Sequence, residues 1–171
     1  MQINLVMAGR LGNNLFRYAF ARALQIKFFP NYEININFYF TKENLLADFN
    51  IEIENANYND KNPKKFLSIS QKLLMLLRKL IKRFLTNKYF TRIDTKYFAP
   101  YLNKFGLYIA RSPSEFISPC SCENKNINIY CDSCFENSKY FYDIREILLR
   151  EFTPKNEILP HNIYLLNEIK N

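Results

Sequence analysis

The feature that most limits how this chain can fold is a strand-like run that ends in glycines and leads directly into a helical pattern. Residues 2–7 are mostly apolar, and two of the chain's three glycines, Gly9 and Gly12, follow closely. Such a run predicts a buried strand of an α/β sheet. The glycines permit a positive φ, and the next helix offers free N–H groups to an anion or a sugar hydroxyl, although a tight turn that binds nothing explains the spacing equally well. The turn is not a Rossmann fingerprint, because the third glycine of that motif is absent, and it is not a Walker loop, because no Gly-Lys-Ser/Thr follows.

A helix and a second strand are predicted after this turn. Asn13 is the expected N-cap and Pro30 the expected end, and the apolar residues between them recur at three- and four-residue spacing: Phe16, Ala19, Phe20, Ala23 and Leu24. Apolar and polar residues then alternate over 34–40, which indicates a strand. Strand, helix and strand form a βαβ unit. We therefore expect an α/β fold, with a βαβ-led parallel sheet and flanking helices, in a single domain of residues 1–171.

Weaker patterns predict the elements of the remaining chain. Residues 42–64 are polar and rich in asparagine, which predicts a loop with a short strand at 51–53. A short strand is expected at 107–110, and alternation predicts another at 127–131. Helical spacing predicts helices at 141–152 and 163–169.

The positive charge of the chain is concentrated in one segment. The formal net charge is +8, and ten of the 24 basic residues lie between Asp60 and Asp94, where no carboxylate occurs. The rest of the chain therefore has 14 basic against 16 acidic residues and is slightly acidic. The charge therefore does not indicate that the whole fold binds nucleic acid or an anionic surface. We treat residues 61–92 as a basic insert in an otherwise slightly acidic chain.

Within the basic insert, residues 66–90 have the pattern of an amphipathic helix. One face is apolar and the other carries lysine and arginine, the apolar positions being Phe66, Ile69, Leu73, Leu77, Leu80 and Phe84. Three interpretations are open: binding of anionic lipid headgroups, a surface helix whose charged face is simply solvated, and binding of RNA. No recognition motif supports RNA, so nucleic acid is not the expected partner.

The four cysteines form two close pairs that allow two interpretations. Cys120 and Cys122 form one pair, and Cys131 and Cys134 form the other. Four thiolates at this spacing could make a tetrahedral zinc site, whereas Cys131 and Cys134 also fit ordinary strand and strand-end positions. The start of the chain lacks the basic segment of a secretory signal, and no run of 18 uncharged apolar residues occurs. We therefore expect a cytoplasmic chain with reduced thiols, with peripheral contact at the inner face of a membrane as a further hypothesis.

Two blocks of the sequence resemble one enzyme family. Residues 9–21, GRLGNNLFRYAFA, resemble the N-terminal GxLGNQMFQYA signature of the α-1,2-fucosyltransferases, glycosyltransferase family 11. Residues 135–145, FENSKYFYDIR, resemble the family's GYFQSEKYFxDIR segment, in the right order and at a suitable distance. The resemblance spans most of the chain and is weakest over 42–110. Asn14 and Glu136 both stand where the family has glutamine.

The resemblance implies transfer of L-fucose from GDP-fucose to the 2-hydroxyl of a terminal galactose in a glycan, with inversion and without a metal or cofactor. It implies the N-terminal domain of a GT-B-like glycosyltransferase, whose first strand-to-helix loop faces the cleft between two domains. The residues carried over to that loop are Gly9, Arg10, Gly12, Asn13 and Asn14, and those of the second block are Phe135, Glu136, Lys139, Tyr140 and Phe141. An asparagine amide offers both a donor and an acceptor, which suits the orientation of a sugar hydroxyl.

One motif of the family is not found in this sequence. The HxRRGDY block, whose arginine holds the donor diphosphate, has no counterpart, and the chain's one histidine is His161. We therefore expect the C-terminal donor domain to be absent and the chain alone to be inactive, since stabilisation of the leaving group is a large part of catalysis. A catalytic base is not assigned. The alternative is a non-enzymatic basic peripheral module that binds an anionic membrane or nucleic acid through residues 61–92.

Overall fold

The fold is a three-layer α/β arrangement around one parallel sheet. The computed structural model describes residues 1–7, 9–38, 44, 46–51, 55–58, 67–109, 126–129 and 138–156. The strands are β1 (Gln2–Met7), β2 (Glu33–Phe38), β3 (Asn55–Tyr58), β4 (Leu107–Tyr108) and β5 (Ile127–Ile129). Their order is β3-β2-β1-β5-β4 and every neighbouring pair is parallel. The predicted α/β class and parallel sheet are confirmed, and β1 lies at the centre.

Helices account for most of the other described residues. They are α1 (Leu11–Phe28), α2 (Ile69–Phe84), α3 (Asn87–Ile93), α4 (Ala99–Lys104) and α5 (Arg145–Glu151). A π-helical turn, Asp94–Phe98, joins α3 to α4, and 3-10 turns at Ser138–Tyr140 and Tyr142–Ile144 precede α5. None of the described helices is long and apolar enough to cross a membrane.

The predicted βαβ unit is present as β1, α1 and β2. Six residue pairs join β1 to β2, from Gln2 opposite Glu33 to Met7 opposite Phe38. Ile3 and Leu5 are fully buried and pack with the apolar side of α1, where Ala21, Ala23 and Leu24 are also fully buried. Burial of this kind stabilises the unit by about 25 cal/mol per Å² of apolar surface.

The opposite face of the sheet is lined by amides. Asn35 Nδ2 donates to Asn4 Oδ1 at 3.0 Å, and Asn4 Nδ2 donates to Asn128 Oδ1 at 2.9 Å. Asn128 Nδ2 in turn donates to Gln71 Oε1 on α2 at 3.0 Å. We call these four side chains the amide ladder. It crosses three neighbouring strands in register and joins them to a helix, so the buried polar groups partner one another instead of remaining unsatisfied.

Helix α2 is held against the sheet by Gln71. The Gln71 side chain accepts from the Ser68 backbone at 3.0 Å while the Ser68 hydroxyl accepts from the Gln71 backbone at 3.2 Å, which is a capping box. Gln71 Nε2 also donates to the Phe105 carbonyl at 2.8 Å, next to β4. A small apolar cluster of Leu67, Leu102, Leu107 and Ile109 lies beside this anchor, with Leu74 and Met75 of α2 packed on it.

Two sequence predictions about element boundaries are wrong. The helix after the turn begins at Leu11 and its N-cap is Arg10, so Asn13 lies inside the first turn. The polar segment contains the strand Asn55–Tyr58, which pairs with β2, whereas residues 52 and 53 of the strand predicted at 51–53 lie outside the described residues. The helix predicted over 66–90 is two helices, separated where Leu85 and Thr86 are extended. The predicted helix at 163–169 lies outside the described residues.

Candidate functional site

The turn between β1 and α1 is open to solvent. It follows the carboxyl end of the central strand, which is the edge where ligands bind in open parallel sheets. Gly9, Arg10 and Gly12 are exposed and Asn13 is half-buried. Arg10 is extended as the N-cap and its side chain makes no capping hydrogen bond, so it satisfies none of the first N–H groups of α1.

Gly9 of the turn and Gly12 at the start of α1 differ in whether the fold needs a glycine at that position. Gly9 has φ +89°, and a Cβ on it would lie 3.2 Å from Asn13 Nδ2. The positive φ favours glycine at position 9, and a Cβ there would also crowd the Asn13 amide. A Cβ on Gly12 would meet nothing within 4 Å, so the fold itself does not require glycine at position 12.

Asn14 ties the start of α1 to the turn. It is fully buried, and its Nδ2 donates to the Gly9 carbonyl at 3.4 Å while its backbone N–H donates to the Arg10 carbonyl at 3.2 Å. Its Oδ1 is buried and has no hydrogen-bond partner among the described residues. Asn14 thus stiffens the turn and retains one acceptor that the described part of the chain does not use.

The second block packs directly against the first. Tyr140 is buried with its ring edge-to-face on Phe20, the centroids 5.2 Å apart and the planes at 84°. Phe141 lies 6.1 Å from Phe16 in a tilted arrangement. Lys139 is exposed, and Phe135 and Glu136 lie outside the described residues. The structure therefore brings the described parts of the two blocks together through aromatic rings of α1 and of the segment before α5.

The cysteine hypothesis stays a prediction. Cys120, Cys122, Cys131 and Cys134 all lie outside the described residues. Within the described residues, no group of three or more histidine, cysteine, aspartate or glutamate side chains is placed to hold a metal.

A cavity that the sequence did not indicate lies at the other edge of the sheet. It has a volume of about 500 Å³ and opens beside the start of β2, lined by Tyr18, Arg22, Gln25, Tyr32, Glu33 and Glu151 among others. Glu151 accepts from the Tyr18 hydroxyl at 3.0 Å and from Arg22 Nε at 2.8 Å. The four-residue spacing of Tyr18 and Arg22 places them on one face of α1, but their acidic partner on α5 is far away in the chain, so the pattern alone could not identify it.

The apolar face predicted for the basic helix is exposed to solvent in α2. The large apolar side chains of α2 that face solvent are Ile69, Leu73, Leu76, Leu77, Leu80 and Phe84, which we call the apolar stripe. The buried residues of the same helix are Gln71 and Arg78. Arg78 donates from Nε to Asp94 Oδ1 at 2.6 Å and from its terminal nitrogen to Oδ2 at 2.7 Å, and both side chains are about 5% exposed. Polar contacts, together with the packing of Leu74 and Met75 on the small apolar cluster, therefore attach α2 to the domain and leave its apolar stripe outward.

The likeness of the two blocks to glycosyltransferase family 11 depends on their residues alone, since no protein-family model, curated protein or solved structure matches the chain.

Proposed function

We propose that this chain is the acceptor-side half of a fucosyltransferase-like protein, corresponding to the N-terminal domain of a GT-B-like enzyme. The proposed reaction is transfer of L-fucose from GDP-fucose to the 2-hydroxyl of a galactoside in a glycan. The observation that carries it is the open turn from Gly9 to Asn13, at the carboxyl end of the central strand, in the block that resembles the family. In this proposal the chain acts in the cytoplasm.

The turn has the groups that orientation of a glycan requires. Backbone N–H groups at the start of α1 have no side-chain cap from Arg10, and the Asn13 amide offers a donor and an acceptor. Gly12 leaves space above the first helical turn for close approach of a sugar. A positioned acceptor hydroxyl would attack C1 of the fucosyl group and lose its proton to a base, to which no residue is assigned, while GDP would leave with the bonding pair. Positioning of this kind contributes several kcal/mol to catalysis in general.

The donor side of the reaction is not supplied by these 171 residues. No HxRRGDY-like block is present to neutralise the diphosphate of the leaving GDP. We therefore expect galactoside binding without turnover. An assay with radiolabelled GDP-fucose and a galactose-terminated acceptor should show no transfer by the chain alone, and measurable turnover would contradict the half-site proposal.

A binding experiment tests the acceptor side directly. Saturation-transfer NMR with N-acetyllactosamine should detect the galactose protons. In a titration followed by this signal, Asn13→Ala should raise the Kd by roughly tenfold, the effect of one lost hydrogen bond. The matched control is Asn31→Ala, at an exposed position that lines the cavity on the other edge of the sheet. Loss of binding in Asn31→Ala with none in Asn13→Ala would assign the sugar to that cavity and overturn the proposed site.

A second candidate function is favoured by one observation. The apolar stripe of α2 is exposed within a segment that carries ten basic residues and no carboxylate. This supports the non-enzymatic alternative, a basic peripheral module that binds an anionic membrane or nucleic acid through residues 61–92. Variants of the turn and variants of α2 separate the two functions, because the two groups of residues lie on different elements.

A further inference from the structure

Helix α2 cannot turn its apolar stripe inward, because two buried polar contacts fix its rotation. Gln71 is hydrogen-bonded to Asn128 of β5 and to the Phe105 carbonyl. Two turns later, Arg78 forms a two-point ion pair with Asp94, and its guanidinium lies 5.4 Å from the ring centre of the buried Phe90. Rotation of the helix would break both contacts and leave charged or polar groups buried without partners.

The apolar stripe is continuous along the whole of α2. Its members recur at three- and four-residue spacing from Ile69, which is 86% exposed, to Phe84, which is 84% exposed. The four residues between them are each at least 46% exposed. Sixteen helical residues extend about 24 Å, so the stripe is a long apolar surface of the kind that marks an interaction site.

The charge next to the stripe has a single sign. Lys72, Lys79 and Arg83 are exposed, and spacings of seven and four residues place them together along one flank of the stripe. Helix α2 contains no aspartate or glutamate. Any surface that covers the stripe must therefore be apolar where it meets the leucines and negatively charged beside them.

We infer that α2 binds in the plane of an anionic lipid surface, with the apolar stripe at the level of the acyl chains and Lys72, Lys79 and Arg83 among the headgroups. A basic helix with one apolar face is the element that lies in such an interface. The inference deepens the peripheral-module alternative by naming its partner and orientation. It does not depend on the fucosyl-transfer proposal.

Two other occupants fit the stripe less well. Antiparallel pairing of two copies through the stripe would bring the basic flank of one α2 close to that of the other, and like charges at an interface are unfavourable. Nucleic acid would satisfy the basic residues, but it offers no apolar surface to six aliphatic or aromatic side chains, of which only Phe84 could stack on a base. Anionic lipid satisfies the charge and the apolar surface together.

Vesicle sedimentation tests the inference with the whole chain. We expect binding to phosphatidylcholine vesicles that contain phosphatidylglycerol, weaker binding at high salt, and little binding to phosphatidylcholine alone. Leu73→Asp with Leu77→Asp should reduce partitioning by roughly 100-fold or more, because two apolar side chains can no longer enter the interface. The matched control is Leu149→Asp, at an exposed leucine of α5, which should bind as the unchanged chain does.

A charge variant and a spectroscopic probe separate insertion from simple attraction. Lys72→Gln with Lys79→Gln should lower binding to anionic vesicles by about tenfold or more, whereas Arg145→Gln with Arg150→Gln on α5 should not change it. The chain has no tryptophan, so Phe84→Trp provides a single fluorescent reporter in the stripe. Its emission should shift to the blue with anionic vesicles and should be quenched by brominated acyl chains.

Several outcomes would overturn the inference. Absence of binding to anionic vesicles would do so, as would equal binding by the Leu73→Asp, Leu77→Asp variant, which would indicate charge attraction without insertion. A dimer in analytical ultracentrifugation that this variant dissociates would assign the stripe to a second copy. Binding to single-stranded RNA in preference to vesicles would assign the basic flank to nucleic acid. Galactoside binding that persists in every α2 variant would leave the acceptor-site proposal unaffected.

Discussion

Arg78 and Asp94 form a two-point ion pair that is almost completely buried between α2 and the start of the π-helical turn. The two contacts are 2.6 and 2.7 Å long, and the Arg78 guanidinium lies over the ring of Phe90, which is fully buried. The geometry matches the planar fork of arginine to a carboxylate. This pair joins α2 to the rest of the domain on the side away from the apolar stripe.

Removal of one partner of this pair should be strongly destabilising. Asp94→Asn leaves the Arg78 guanidinium buried without its counter-charge, so we expect the free energy of unfolding to fall by about 3–5 kcal/mol. Urea denaturation checks this, with Asp143→Asn as the control because Asp143 is largely exposed in its contact with Lys27. A loss below 1 kcal/mol for Asp94→Asn would show that the buried pair is not needed to hold α2.

The sequence predicted the first βαβ unit because its apolar pattern is strong and local. The alternation around β2 also identified a strand, but alternation alone does not show whether its polar face meets water. Asn35 and Asn37 alternate with apolar residues as they would on a half-exposed strand, yet both are buried. Asn35 is hydrogen-bonded to Asn4, and Asn4 to Asn128, and these three side chains are neighbours only after three strands have paired.

The orientation of α2 and the position of β3 could not be predicted from the sequence pattern, because partners distant in the chain determine both. The amphipathic pattern identified the two faces of the helix but not which of them meets the domain. Gln71 and Arg78 contact Asn128 and Asp94, which are distant in the chain, and these contacts determine the orientation of α2. The residues of β3, Asn55–Tyr58, have little strand propensity and become a strand by pairing with β2.

The two glycines of the turn should respond in opposite directions to alanine. Gly9→Ala should lower the free energy of unfolding by about 1–2 kcal/mol, because alanine is strained at φ +89°. Gly12→Ala should raise it by about 0.4–1 kcal/mol, since the new Cβ meets nothing and the unfolded chain loses freedom. Thermal and urea unfolding of the two variants measure both effects.

Gly12→Ala also examines the proposed acceptor site. If the space above Gly12 admits a sugar, this variant should bind N-acetyllactosamine more weakly although its fold is more stable. Unchanged binding in the saturation-transfer experiment would count against a role for Gly12 in the site. Gain of stability with loss of binding cannot be attributed to damage to the fold.

Substitution of Asn4, at the centre of the amide ladder, should destabilise the fold. Asn4 accepts from Asn35 and donates to Asn128, so Asn4→Ala takes one partner from each neighbour in a buried layer. We expect the free energy of unfolding to fall by about 1–3 kcal/mol or more, the usual cost of depriving a buried polar group of its partner. Asn156→Ala, at an exposed position, should remain within about 0.5 kcal/mol of the unchanged chain. Equal stability of the two variants would show that the ladder contributes little.

The aromatic contact between the two family-like blocks gives the sharpest stability test of their association. Tyr140→Ala removes a buried ring from the face of Phe20 and should lower the free energy of unfolding by about 3–5 kcal/mol. Tyr142→Ala, two residues away and 72% exposed, should change it by no more than about 0.5 kcal/mol. A double-mutant cycle with Phe20→Leu should give a coupling of about 0.5–1.5 kcal/mol, because an edge-to-face pair contributes beyond its buried area. Additive effects of Tyr140→Ala and Phe20→Leu would contradict this contact, and with it the observation that the two blocks meet in the folded chain.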